Sequence, residues 1–345
     1  MTPRLLSWIA QATGGRLHGA DRTVDAIATD TRALPGGDAL FVALKGERFD
    51  GHAHVQAAVD GGCVAALVAQ VQEIDIPQVV VADTQRALGS LAAAVQMGRA
   101  TKVLAVTGSN GKTTVKTLLL SILRQLGGAY ANPGNRNNEI GLPLAVLEAP
   151  DDARFAVYEM GAGKPGDIAY LCAIARPDVA LVNNVGAAHL ERMGSLLGVA
   201  QTKGAIYQAL PDDGVAVVNA DDAFAVYFSE RLRGRRMIRF GIEAAAEVSA
   251  RAIQAGIDGS RFVLVTPAGE VEVALPLAGR HNVRNALAAA AMALAVGAGP
   301  DQIRAGLEAS ERVAGRLVAR PLRSGALLID DSYNANPNSL AAAID

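Results

Sequence analysis

KVLAVTGSNGKTTVKTLLLSIL, residues 102–123, decides the fold class. KVLAVT (102–107) reads as a strand with no polar face, the next four residues hold two glycines, and a helix runs on through Leu126. A glycine turn closing a strand lets backbone N–H groups converge on phosphate oxygens. The helix that follows adds its unpaired N-terminal N–H groups and the positive end of its dipole. Lys112 is placed to neutralise β- and γ-phosphates, and the Thr113 hydroxyl to ligate Mg2+. The long form of this loop needs a glycine at position 106, where Val106 stands, so the motif is the shorter G-x-x-G-K-T of Gly108 to Thr113. The nucleotide-binding candidates are therefore Gly108, Ser109, Asn110, Gly111, Lys112, Thr113 and Thr114. The competing local reading is a plain glycine turn before a surface helix.

Outward from the loop, FAVYEM (155–160), DVALVNNV (178–185) and VAVVNA (215–220) are continuous apolar strands, most of them separated by helical segments. Strands apolar on both faces with helical crossovers predict an α/β domain with a mostly parallel sheet. Such sheets bind ligands at the carboxyl ends of their strands. Glu159, Asn183, Asn184 and His189 fall at or just after such ends, and Glu159 supplies the kind of oxygen that magnesium needs. Residues 261–277 predict an antiparallel pair turning at AGE. The apolar run 286–299 is too short to span a bilayer and reads as a buried helix. Residues 1–98 alternate short strands and small helices, and a fresh strand begins after residue 320. The predicted division is a small α/β N-terminal domain (1–98), a central domain of phosphate-loop type (99–319), and the first strand and helix start of a third, Rossmann-like domain (320–345).

The 345 residues are half hydrophobic and 19% charged, with a formal net charge of −2. That balance suits a globular chain and gives no basic field for nucleic acid. Cys63 and Cys172 sit in apolar surroundings without metal or disulfide spacing, so buried thiols in a reducing compartment are expected. The first fifteen residues make a poor signal peptide. A cytoplasmic monomer without membrane insertion is the expectation.

TGSNGKTT (107–114), NNEIGLPLAVL (137–147), YEMGAGKPGDI (158–168), NNVGAAHLERMGSLLGVAQTKGAIY (183–207), GRHNVRNALAAA (279–290) and IDDSYNANPNS (329–339) occur in that order. Together they closely resemble the bacterial Mur ligases, and DTRALPGGDALFVALKGERFDGH (30–52) is similar to the family's amino-terminal substrate-binding stretch. The branch most resembled adds D-Ala-D-Ala to UDP-N-acetylmuramoyl-tripeptide in peptidoglycan synthesis. The resemblance implies an amide ligase that uses ATP and Mg2+ and proceeds through an acyl phosphate. It implies phosphate holding by the loop, metal ligation by Thr113, Glu159, His189 and a carbamylated Lys203, and catalytic roles for Lys112, Lys203, His189 and Arg316. His281, Asn282, Arg316, Asp331, Tyr333 and Asn334 are implied on the nucleotide side. Thr31, Arg32, Asn135, Asn137 and Asn138 are implied on the substrate side, although Asp30 next to them reads equally well as a turn cap. Family members run on through a complete third domain that closes over ATP, so weak turnover by these 345 residues is expected. Two alternatives stay open: another ligase of the superfamily, forming the tripeptide or folylpolyglutamate, and a non-catalytic fragment binding a nucleotide or UDP-sugar.

Overall fold

The computed structural model describes residues 1–345 except 188–189, 257, 312–314, 316–317, 322–323, 325, 334–339 and 341–345. The chain divides into two compact units. The first comprises Met1–Thr101 with residues 132–152 and 173–176; the second comprises Lys102–Ala131, Ala153–Cys172 and Pro177–Asp345.

In the first unit the order is β1 (Arg4–Leu5), α1 (Leu6–Thr13), β2 (Arg16–His18), β3 (Thr23–Val24), β4 (Ala26–Ala28), β5 (Ala39–Val42), a 3-10 turn (Gly51–His54), α2 (Val55–Asp60), β6 (Ala65–Val68), β7 (Gln78–Val80) and α3 (Thr84–Met97). Five strands form a sheet in the order β2-β7-β6-β5-β4, parallel except at β2–β7. Phe41, Val55 and Val68 lie in its core. Helix α3 begins where the Asp83 carboxylate accepts from the Arg86 N–H at 2.9 Å, an N-cap that ends the preceding extended segment.

The second unit opens with β8 (Lys102–Thr107), α4 (Lys112–Arg124) and β9 (Ala129–Ala131); α5 (Gly141–Glu148), next in the chain, belongs to the first unit. Then follow β10 (Phe155–Glu159), α6 (Asp167–Ala175), β11 (Val179–Val182), α7 (Leu190–Met193), α8 (Leu196–Gln208), β12 (Val215–Asn219), α9 (Ala225–Arg231), β13 (Arg236–Gly241) and β14 (Val248–Ala255). The series ends with β15 (Ser260–Thr266), β16 (Gly269–Leu275), α10 (Arg280–Ala295), α11 (Pro300–Glu308), β17 (Val318–Pro321) and β18 (Leu327–Asp330). One nine-stranded sheet runs β16-β15-β14-β13-β12-β11-β8-β10-β9. From β9 to β14 every pairing is parallel, and β14–β15–β16 is antiparallel.

The mostly parallel α/β sheet is therefore as predicted. Three of its strands, β9, β13 and β14, were not legible in the sequence. β9 is three half-buried residues, Arg236 and Arg239 interrupt the apolar run of β13, and β14 is half exposed, so none reads as a buried strand. The run 286–293 is a fully buried stretch of α10, from Ala286 to Ala293. Its small side chains fit against both the sheet and α4, and the apolar core gathers there. Strand order reverses at β8, with β10 and β9 on one side and β11 and β12 on the other. The loop after β8 consequently sits at the switch point, where the carboxyl ends of parallel strands leave a crevice.

Candidate functional site

Strand β8 closes with the Thr107 hydroxyl donating to the Met160 carbonyl at 2.9 Å. The turn that follows is held by the segment after β11. The Ser109 N–H donates to the Asn184 carbonyl (3.0 Å), and the Ser109 hydroxyl accepts from the Gly186 N–H (2.8 Å). The Asn184 amide grips one residue, Asn110, on both its backbone groups. Its Oδ1 accepts from the Asn110 N–H (2.8 Å), and its Nδ2 donates to the Asn110 carbonyl (3.0 Å). Asn183, buried, donates through Nδ2 to that same carbonyl (3.0 Å) and to Oδ1 of Asn285 on α10 (3.1 Å). The chain of amides continues: Asn285 Nδ2 donates to Asn282 Oδ1 (3.1 Å), and Asn282 Nδ2 donates to the Ala278 carbonyl (2.7 Å). Asn219, at the end of β12, donates to the Asn183 carbonyl at 2.9 Å and fixes the far side of the clamp.

Gly111 is required here twice over. Its φ of +76° lies in the left-handed region, and a Cβ would stand 2.4 Å from Asn285 Oδ1 and 2.7 Å from Asn183 Nδ2. The turn is thus shaped by side-chain amides, and Lys112 begins α4 directly after it.

Two ammonium groups converge on one carbonyl. Lys112 Nζ donates to the Gly108 oxygen at 2.9 Å, and Lys203 Nζ, from α8, donates to it at 3.1 Å. Lys203 is 2% exposed. Burial, with the Lys112 charge adding to it, pushes the Lys203 amine down to about 7. Across the turn the Thr113 hydroxyl donates to Glu159 Oε2 at 2.9 Å, and Lys116 Nζ lies 3.4 Å from the same oxygen. Thr113 and Glu159 offer the hard oxygen donors that Mg2+ takes. Lys203 as an amine is no such donor, and only as a carbamate would it become one. Thr114 is half-buried in the first turn of α4.

The remaining predicted residues are distributed more widely. His281 is near enough to Asp331 to feel its carboxylate, although burial, the larger effect, pushes the imidazole below its ordinary value. The Tyr333 N–H donates to the Gly315 carbonyl at 3.2 Å. In the first unit Arg32 is exposed and forms an ion pair with Asp30 at 2.7 Å. Asp30 also accepts from the Arg32 N–H, so the turn-cap reading of Asp30 holds there, with Thr31 half-exposed beside it. Asn138 Oδ1 accepts from the Gly141 N–H (2.8 Å) at the start of α5, and the Asn137 N–H donates to the Asn135 carbonyl. His189, Arg316 and Asn334 lie outside the described residues.

Three residues with a part in this geometry escaped the sequence reading. Asn219 and Asn285 are remote in sequence from the loop they support. Lys116 resembled an ordinary helix lysine, although its place three residues after Thr113 puts both on one face of α4.

The family model for the Mur ligase middle domain matches residues 106–293. The UDP-N-acetylmuramoyl-tripeptide–D-alanyl-D-alanine ligase of Escherichia coli (strain K12) is 47% identical over 340 residues, covering 98% of this chain and 75% of that protein. A crystal structure of MurF from Acinetobacter baumannii superposes with a TM-score of 0.94 at 40% identity, covering 99% of this chain and 76% of that one. The crystal structure of MurF ligase from Thermotoga maritima in complex with ADP gives 0.82 at 30% identity, covering 93% and 74%.

Replacing Gly111 by Ala forces a Cβ into the Asn183–Asn285 amide pair and strains the backbone. Nucleotide affinity measured by calorimetry is expected to fall about tenfold or more, the equivalent of about 1–3 kcal/mol of strain, with the circular dichroism spectrum unchanged. Undiminished affinity would show that the turn does not need this shape.

Proposed function

This chain belongs to the Mur ligase family, and we propose that the loop Gly108–Thr113, with Glu159 and Lys203, carries the family's chemistry in it. The activity is ATP-dependent ligation of D-Ala-D-Ala to UDP-N-acetylmuramoyl-tripeptide in peptidoglycan precursor synthesis. A carboxylate is a poor electrophile. The terminal carboxylate oxygen of the tripeptide therefore bonds to the γ-phosphorus while the bond from that phosphorus to the β–γ bridging oxygen breaks, releasing ADP. The amine of D-Ala-D-Ala then adds to the acyl carbon, loses a proton, and expels inorganic phosphate as the C–O bond breaks.

The observation that carries this reading is the amide-clamped turn at the end of β8. A polyphosphate needs donors fixed in advance, because donors that must reorganise lose much of their electrostatic value. Asn183 and Asn184 fix the loop peptides before any ligand arrives. Lys112, at the start of α4, adds a cation beside them.

Thr113 and Glu159 are the proposed holders of Mg2+, which when bound neutralises charge on the phosphate oxygens. His189 and a carbamylated Lys203 are the proposed holders of a second ion near the substrate carboxylate. An amine with its proton affinity lowered to about 7 is partly neutral at physiological pH, and the neutral amine is the form that adds to CO2. Arg316, His281, Asn282, Asp331, Tyr333 and Asn334 are proposed on the nucleotide side. Asn282 commits one N–H and one lone pair to its neighbours, and its amide has a second of each for a base. Thr31, Arg32, Asn135, Asn137 and Asn138 are proposed for the UDP-tripeptide. A monomer in the cytoplasm is the proposed setting. It is supported by two buried free thiols and by the absence, among the described residues, of any helix long and apolar enough to cross a membrane.

In a phosphate-release assay, whatever rate the chain sustains is expected to require ATP, UDP-N-acetylmuramoyl-tripeptide and D-Ala-D-Ala together. Release that continues unchanged without the dipeptide contradicts the ligase reading, and tight binding of both nucleotides without any release selects the non-catalytic alternative. With 13C-bicarbonate, a carbamate signal is expected to grow as pH rises through about 7, because protonation blocks the amine below that value. It should vanish in Lys203→Ala. A signal absent at every pH removes the carbamate from the account.

A further inference from the structure

Lys116 is a charged residue of the site to which the reaction as set out gives no part. It is 5% exposed, and its ammonium lies 3.4 Å from Glu159 Oε2, the oxygen that also accepts the Thr113 hydroxyl at 2.9 Å. The two side chains of the ion pair are 7% and 4% exposed, so the pair is withdrawn from water. A carboxylate held this way in a poorly solvated place needs its counter-charge, since a buried anion left alone is strongly destabilising. A divalent cation on Thr113 and Glu159 would share that small volume with the ammonium. Charges of +2 and +1 a few ångströms apart repel appreciably even at an effective dielectric constant of about 20.

We propose that Lys116 is the resident counter-cation of Glu159 and sets the order in which metal enters. With no metal bound it balances the carboxylate and keeps it on Thr113. It also makes the pair of oxygens a poor site for a free divalent ion. The negative charge of a nucleotide polyphosphate offsets the repulsion, so the ion enters together with its nucleotide. Lys116 is a positioning residue in this account, acting through Glu159 and touching no reacting atom. The inference rests on the reading of Thr113 and Glu159 as metal ligands.

Mn2+ titrations followed by electron paramagnetic resonance test it on the 345-residue chain, first without nucleotide and then with a non-hydrolysable ATP analogue. Without nucleotide, Lys116→Met is expected to bind Mn2+ more tightly than the natural chain, by about tenfold or more, and Lys116→Arg to behave like the natural chain. With the analogue present the difference should shrink. A Lys116→Met variant that binds free Mn2+ no more tightly overturns the inference, because a purely structural ion pair would leave metal affinity where it was. If Lys116→Met does not fold, the natural chain decides the matter. Mn2+ binding that is as tight without the analogue as with it overturns the proposal, and binding that tightens with the analogue beyond the analogue's own affinity for Mn2+ supports it. Glu159→Gln separates the two levels. If it leaves nucleotide-dependent Mn2+ binding intact, the metal reading falls and takes the inference with it. If it abolishes that binding while Lys116→Met changes nothing, the inference alone falls.

Discussion

The backbone of Asn110 is held on both its N–H and its carbonyl by side-chain amides that start one residue after β11. A turn with glycines at 108 and 111 has little conformational preference of its own, and fixing it costs backbone entropy. Buried amide hydrogen bonds supply the compensation, and they matter most where water is excluded, because leaving one unmade there is costly. Through Asn285 the same clamp reaches α10, the most buried helix of the second unit. The turn is therefore fastened to the core, and its N–H groups are set by the protein alone.

Charge is arranged around that turn with a cationic excess. Lys112 and Lys203 meet at one carbonyl, and Lys116 pairs with Glu159, the acidic group facing Thr113. Such a balance favours a polyanion. Burial lowers the proton affinity of the Lys203 amine and the Lys112 charge adds to that effect, so it gives up its proton more readily than a lysine in water. Conversion of that amine to a carbamate would reverse its sign within the site. A cationic region would then gain an anionic side chain without any change of fold.

Much of this was legible in the sequence because it is local. Strand, glycine turn and helix follow one another within residues 102–123, and β10, β11 and β12 are unbroken apolar runs. The buried helix α10 announced itself through its alanines. What stayed hidden was either non-local or disguised. The link between Asn183 and Asn285 spans about a hundred residues and has no spacing signature. Lys116 carried the composition of a solvated helix face, and only the fold shows it turned toward Glu159. Strands β13 and β14 escaped because they lie toward the edge of the parallel series, where arginines and half-exposed positions break the period. In the first unit, Asp30 pairs with Arg32 two residues on, a local contact that composition does not single out.

The amide clamp sets the shape of the turn, and through it the proposed hold on nucleotide. A double-mutant cycle on ADP affinity, measured by calorimetry for the natural chain, Asn183→Ala, Asn285→Ala and the double variant, tests it most directly. Each single change is expected to weaken ADP about tenfold, and the double to fall short of the sum by about 1 kcal/mol or more, because the two amides act through one hydrogen bond. Natural affinity in all three variants, or strict additivity, would contradict it.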